Sequence, residues 1–149
     1  MKNKIKVLFV CIHNSARSQI AQGLLESIAG GKFIVESAGI KKGEISPLAI
    51  ETMKEIGIDL SSNKSKTIDS LGDATYDYAI TLCDEALCPS FSNAKETIHW
   101  SFKNPATLKG NKKEKLAKTR EIRDKIRERI SDWVETKKTH EGLREGNEP

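Results

Sequence analysis

Residues 5–18, Ile-Lys-Val-Leu-Phe-Val-Cys-Ile-His-Asn-Ser-Ala-Arg-Ser, run an apolar segment, a short polar loop and a helix start together without a spacer. Residues 5–10 read as a buried β-strand, and Arg17-Ser18 opens an amphipathic helix. Cys11 therefore stands at the tip of a strand, under a helix N-terminus and six positions before a guanidinium. Backbone N–H groups of such a loop converge into a nest for a tetrahedral oxyanion. Arg17 can clamp two anion oxygens with its planar fork. The same positive field favours thiolate over thiol. The spacing implies a nucleophile beneath a bound oxyanion. For most Cys and Arg pairs the plainer account, a buried strand cysteine beside a salt-bridging arginine, would serve.

The rest of the chain supplies the frame. A helix over Ala16–Ala29 would turn Ile20, Leu24, Leu25 and Ile28 inward and stop at Gly30-Gly31. Phe33 to Ser37 reads as a second strand, ended by Ala38-Gly39. Ser46-Pro47 is an N-cap with proline in the first turn, opening a helix that buries Ala49, Met53 and Ile56 and stops at Gly57. Tyr76–Leu82 and Glu96–Trp100 read as third and fourth strands. A long helix over 112–134 presents Leu116, Ile122, Ile126, Ile130, Trp133 and Val134. Strands alternating with helices imply an α/β fold: a four-stranded parallel sheet, flavodoxin-like order 2-1-3-4, with helices on both faces. That order sets the first and third strands side by side, so Cys11 and Cys83, each at a strand's carboxyl end, should open onto one site.

At 149 residues the chain suits a single domain over 1–136, followed by a polar tail over 137–149 expected to be disordered. No apolar run approaches the ~20 residues that cross a bilayer. The first strand starts at Ile5, so no secretory signal is expected and a cytoplasmic location follows, with the three cysteines reduced at rest. Their spacing is unlike zinc-ligand patterns. The net charge of +4 is concentrated between Lys109 and Arg129, where Glu114, Glu121, Asp124 and Glu128 are interspersed among the basic residues. Mixed signs at helical spacing mark a solvated face rather than a nucleic-acid surface.

The stretch around Cys11 resembles the phosphate loop of the low-molecular-weight phosphotyrosine phosphatase family, Cys-x5-Arg-Ser. Cys11, Arg17 and Ser18 match it, and Asn14 matches an asparagine that holds the loop's shape. The resemblance implies that Cys11 is the nucleophile, Arg17 the clamp and Ser18 a hydroxyl donor to the thiolate. Ile12, His13, Ser15 and Ala16 complete the substrate loop, with His13 facing solvent or steadying the loop rather than serving as a base.

A phosphatase needs one cysteine, yet Thr81-Leu82-Cys83-Asp84-Glu85-Ala86-Leu87-Cys88-Pro89 adds two. Taken singly, each could be an inert apolar cysteine. Together with the oxyanion loop they suit a relay. If Cys11 attacks arsenate, a thiolate at Cys83 can attack the Cys11 sulfur and leave the bonding pair on arsenic. Cys88 can then attack Cys83 and free Cys11. Phosphorus(V) is not reduced this way. The arrangement resembles thioredoxin-coupled arsenate reductases built on the phosphatase fold, from about residue 5 to Val134. Beyond the loop the likeness rests on Glu36-Ser37-Ala38-Gly39, Thr81-Leu82-Cys83, Cys88-Pro89 and His99-Trp100-Ser101-Phe102. It implies Cys11, Cys83 and Cys88 as redox cysteines, arsenate as substrate, thioredoxin as electron donor, no cofactor, and a monomer.

Three positions depart from that pattern. Only four residues separate Cys83 from Cys88, where six are common. In a helix their Cα atoms would lie ~8–9 Å apart, beyond the ~7 Å that a disulfide spans, so the turn must unwind on oxidation. Lys103-Asn104-Pro105 puts asparagine where the family's acid loop has aspartate, and a carboxamide cannot protonate a leaving group. Gln22 and Lys66 replace acidic side chains used by potassium-binding members. Lys64 is the candidate positive charge in their place, and no bound metal is expected. The alternatives are a tyrosine phosphatase with protective cysteines and a non-enzymatic oxyanion or redox sensor. Ala106-Thr107-Leu108 lacks the aromatic residues with which a tyrosine phosphatase of this family grips its substrate ring.

Overall fold

The computed structural model describes residues 4–84 and 91–147, with side chains through Lys137. Its elements are β1 (Ile5–Cys11), α1 (Arg17–Ala29), β2 (Phe33–Gly39), α2 (Pro47–Lys54), β3 (Tyr76–Thr81), β4 (Ala94–His99) and α3 (Lys112–Asn147). Short 3-10 helices cover Asp69–Leu71 and Pro105–Thr107. The strands form one sheet in the order β2-β1-β3-β4, and every adjacent pair is parallel. The expected flavodoxin-like order is the observed one.

Alternation along β1 divides the core between the two faces of the sheet. Val7 and Phe9 join the larger cluster, which also takes Ile20 and Leu24 of α1, Met53 of α2 and Ile126 and Ile130 of α3. Leu8 and Val10 join a smaller one with Ala38, Tyr76, Ala79 and Phe91, flanked by Ile68 and Leu71. Both faces are thus covered, but unequally. All three α-helices share one face, while a 3-10 helix covers the second among the described residues, so the expectation of helices on both faces holds there only in that shortened form. Trp133 fixes α3 to the sheet through ring contacts with Phe33 at 5.5 Å and Tyr78 at 5.2 Å, each worth ~0.5–1.5 kcal/mol beyond its buried area.

Element ends differ from the sequence reading for local reasons. The second strand runs on to Gly39 because pairing with β1 continues to Cys11. The α2 helix ends at Lys54, and the chain closes over Gly57 (φ 81). Ile58 N donates to Met53 O and Gly57 N to Lys54 O, both at 3.0 Å, the paired bonds of a Schellman stop. Ile56 is consequently only half-buried. Ile28, expected inward, is 39% exposed. It lies in the last turn of α1, where the Lys32 N to Ala29 O bond reverses the chain and leaves the apolar stripe at the open end of the core. The backbone of α3 continues to Asn147, through most of the polar segment that the sequence sets apart.

Candidate active site

Position in the sheet decides which residues meet. Pairing of β1 with β3 ends at Val10 opposite Thr81, and Leu82 N donates to Val10 O at 2.9 Å. Cys11 and Cys83 therefore leave the carboxyl ends of neighbouring strands, and both are buried, at 2% and 1% exposure. Cys11 holds a free thiol, whereas Cys83 is disulfide-bonded. Cys88 lies outside the described residues.

Cys11 Sγ is 2.8 Å from Ser18 Oγ. Asn14 Nδ2 donates to the same hydroxyl oxygen at 2.8 Å, which lets Ser18 turn its own proton toward sulfur. That direction stabilises a thiolate. Asn14 is fully buried and sits at φ 52, a left-handed conformation that asparagine tolerates better than most side chains. Its Oδ1 accepts from Lys66 N at 2.8 Å and from Gln19 Nε2 at 3.1 Å. The side chain is held at both ends, so the loop has one shape.

The loop's carbonyls carry the strongest information. Ile12 O accepts from Lys41 N at 3.0 Å, Ser15 O from Ser46 N at 2.8 Å and Ala16 O from Ile20 N at 2.8 Å. His13 O accepts from Ser65 Oγ at 2.9 Å and Asn14 O from Gln19 Nε2 at 3.2 Å. Residues 12–16 thus have all their carbonyls taken up by surrounding elements. In a trans peptide the N–H points opposite to the C=O, so the N–H groups between them turn away from those partners. No side chain caps α1, which adds its own unsatisfied N–H groups. Gly39 makes the close packing possible. A Cβ there would stand 2.6 Å from Ile12 O and 2.7 Å from Asn14 N.

Arg17 is 3% exposed, and its Nη1 donates to Asp84 Oδ1 at 3.2 Å and to Phe102 O at 3.1 Å. The segment bearing Phe102 is brought there by Trp100 N to Thr81 O at 2.8 Å and Phe102 N to Leu82 O at 3.2 Å. Asn104 follows two residues later. Its Oδ1 accepts from Ala106 N at 3.0 Å and caps the 3-10 helix over Pro105–Thr107.

The remaining positions singled out by sequence have structural partners. His13 and Lys64 are exposed, Ile12 and Ser15 half-buried, and Ala16 is buried. Gln22 Oε1 accepts from Ser37 Oγ at 2.5 Å, and its Nε2 donates to Glu26 Oε1 at 2.8 Å. Lys66 serves the loop through its backbone, donating to Asn14 and accepting from Gly39 N at 2.9 Å. Lys64 O accepts from Gln19 Nε2 at 3.4 Å.

Sequence reasoning missed Gln19, Asn63, Ser65 and Asp84 as site residues. Gln19 is 1% exposed and bonds Asn14, Lys64 O and, through its Oε1, Asn63 Nδ2 at 3.1 Å. The available signal was a glutamine beside Ile20, in the first turn of a helix whose apolar stripe faces the core. Ser65 and Asp84 come from other loops, and no local pattern announces them.

A buried thiol at the end of a central parallel strand, a loop with every carbonyl taken up and a buried guanidinium together make the candidate active site of this α/β sheet. The family model for low molecular weight phosphotyrosine protein phosphatase matches residues 6–143, and the chain belongs to that family. An arsenate reductase of Halalkalibacterium halodurans is 42% identical over 138 residues, 91% of this chain and 99% of that protein. The structure of an arsenate reductase in the phosphate binding state aligns with a TM-score of 0.75 at 31% identity, covering 89% of this chain and 98% of that one. A thioredoxin-dependent arsenate reductase of Corynebacterium glutamicum aligns with a TM-score of 0.68 at 33% identity, covering 91% of this chain and 62% of that one.

Proposed function

We propose that this protein reduces arsenate to arsenite through its three cysteines and is recycled by thioredoxin. The observation that carries the reading is the buried Cys11 thiol under its loop, with a second, disulfide-bonded cysteine at the neighbouring strand end. A hydrolytic phosphatase has no use for the second feature. The near full-length likeness to arsenate reductases supports the same choice.

In this mechanism the loop amides and Arg17 hold arsenate, and the Cys11 thiolate attacks arsenic. A sulfur–arsenic bond forms, an arsenic–oxygen bond breaks, and the departing oxygen leaves as water after protonation. Arsenic remains at +5. A Cys83 thiolate then attacks the Cys11 sulfur. The sulfur–arsenic bond breaks, its electron pair stays on arsenic, and arsenite leaves with arsenic at +3. The Cys11–Cys83 disulfide passes to Cys88 by a second thiolate attack, which frees Cys11. A reduced thioredoxin supplies two electrons and two protons to restore the thiols. Ser18 and Asn14 hold the nucleophile and the loop, and Ile12, His13, Ser15 and Ala16 contribute backbone. No metal or cofactor has a step.

The reading extends to a monomer acting in the cytoplasm, where a thioredoxin system keeps thiols reduced. No helix among the described residues is long and apolar enough to cross a membrane. Measurement of arsenate-dependent NADPH oxidation with thioredoxin and thioredoxin reductase tests the proposal, with stoichiometric arsenite as the expected product. Steady aryl phosphate hydrolysis without arsenate-dependent NADPH oxidation would return the chain to the phosphatases.

A further inference from the structure

Resting on the reading of Arg17 as the oxyanion clamp, we infer that Asp84 is a positioning residue that occupies this clamp while Cys83 is oxidised and so weakens oxyanion binding in that state. Three observations meet at one point. Asp84 Oδ1 accepts from Arg17 Nη1 at 3.2 Å, Cys83 is disulfide-bonded, and the two residues are adjacent in the chain. A carboxylate is the natural rival of phosphate or arsenate for a guanidinium, because both present paired oxygens to the same planar donors.

Burial makes the rivalry unequal. Arg17 is 3% exposed and fixed in place, whereas the Asp84 side chain is 39% exposed. The clamp cannot leave, but the carboxylate can swing into water. Its tether decides when it does. Consecutive Cα atoms lie ~3.8 Å apart, so a change of position at Cys83 is transmitted directly to Asp84. Reduction by a dithiol adds two electrons and two protons, converts the disulfide to two thiols and removes the cross-link that holds this strand end. With the cross-link gone, Cys83 can shift and carry the partly exposed Asp84 carboxylate off Arg17 into water. Oxyanion binding and disulfide formation thereby compete, and linkage makes the competition reciprocal. The functional result is an oxidised protein that holds substrate or phosphate more weakly while it waits for reductant.

The test titrates inorganic phosphate by calorimetry into the full chain, in the reduced form and in the form with the Cys83 disulfide. Oxidised wild type should bind phosphate about three- to tenfold more weakly than reduced wild type, the scale of a partly exposed ion pair. Asp84→Asn should tighten the oxidised form and abolish the difference, and Asp84→Glu should restore it. The reciprocal readout is the Cys83 disulfide potential, which should rise with saturating phosphate by up to about 30 mV for tenfold coupling in wild type but not in Asp84→Asn. A purely structural role for Asp84 would move neither phosphate affinity nor potential. Equal affinities in the two wild-type forms, or a difference that survives Asp84→Asn, would overturn the inference. Phosphate binding by the reduced wild type that Arg17→Ala leaves intact would overturn the clamp itself, a separate result.

Discussion

The chain exits at the carboxyl ends of β1 and β3 lie side by side, yet they are built on opposite principles. After β1, residues 12–16 have their carbonyls held by Lys41, Ser65, Gln19, Ser46 and Ile20, and Asn14 is locked into a left-handed turn. The loop passes straight into α1. After β3, the chain leaves the sheet through Leu82 and Cys83 without entering a helix among the described residues, and its next side chain, Asp84, is partly exposed. A nucleophile that must meet a tetrahedral anion gains from fixed geometry, since a small misplacement of reacting groups costs orders of magnitude in rate. In the proposed relay, a thiol that pairs first with one cysteine and then with another needs reach. In that proposed relay the loop after β1 fixes the nucleophile, and the exit after β3 supplies the second cysteine.

The largest effect should come from the rigid half. Cys11→Ser is expected to abolish arsenate reduction and any aryl phosphate hydrolysis together, because one nucleophile serves both. Turnover of arsenate by that variant would take Cys11 out of the mechanism. Arg17→Lys should be severely impaired in both reactions, since an ammonium cannot form the bidentate clamp.

Loss of either downstream cysteine should separate the activities. Cys83→Ser and Cys88→Ser should each stop arsenate reduction and leave aryl phosphate hydrolysis in place. Cys88→Ser should also trap a Cys11–Cys83 bridge after one turnover, visible by mass mapping of the non-reduced protein. A trapped protein without that bridge would break the relay order.

Gly39→Ala probes the rigidity itself. Its Cβ would enter to 2.6 Å of Ile12 O, so the loop must shift, and kcat/KM for arsenate should fall by about 100-fold. Thermal unfolding should show the protein still folded. A variant with full activity would show that the loop tolerates displacement.

Asn104→Asp should have the smallest effect on arsenate. A carboxyl there can protonate a departing phenoxide, so aryl phosphate kcat/KM should rise by about 100-fold. Arsenate loses water or hydroxide and can draw on its own proton, so its kcat/KM should change much less. Comparable gains for both substrates would mean that Asn104 handicaps the protein rather than specialises it. The capping bond from Ala106 N to Asn104 Oδ1 is one that aspartate can also make, so the loop should keep its fold.

Much of this was legible in one dimension. The β1–loop–α1 unit is encoded within residues 5–18, where an apolar run, a Cys-x5-Arg spacing and the start of a helix lie next to one another. The parallel sheet follows from strands alternating with helices, and the buried stripe of α3 from its period. Those features depend on neighbours in sequence, so sequence determines them. Contacts between distant segments decided the rest. Asn14 meets Lys66 across 52 positions, and Arg17 meets Asp84 across 67. Only the order of strands brings such residues together. The exposure of Ile28, the gathering of the described α-helices on one face of the sheet and the capping duty of Asn104 are likewise products of packing and local closure. Periodicity names the apolar face of a helix, but the extent of the surface opposite decides how much of that face is buried.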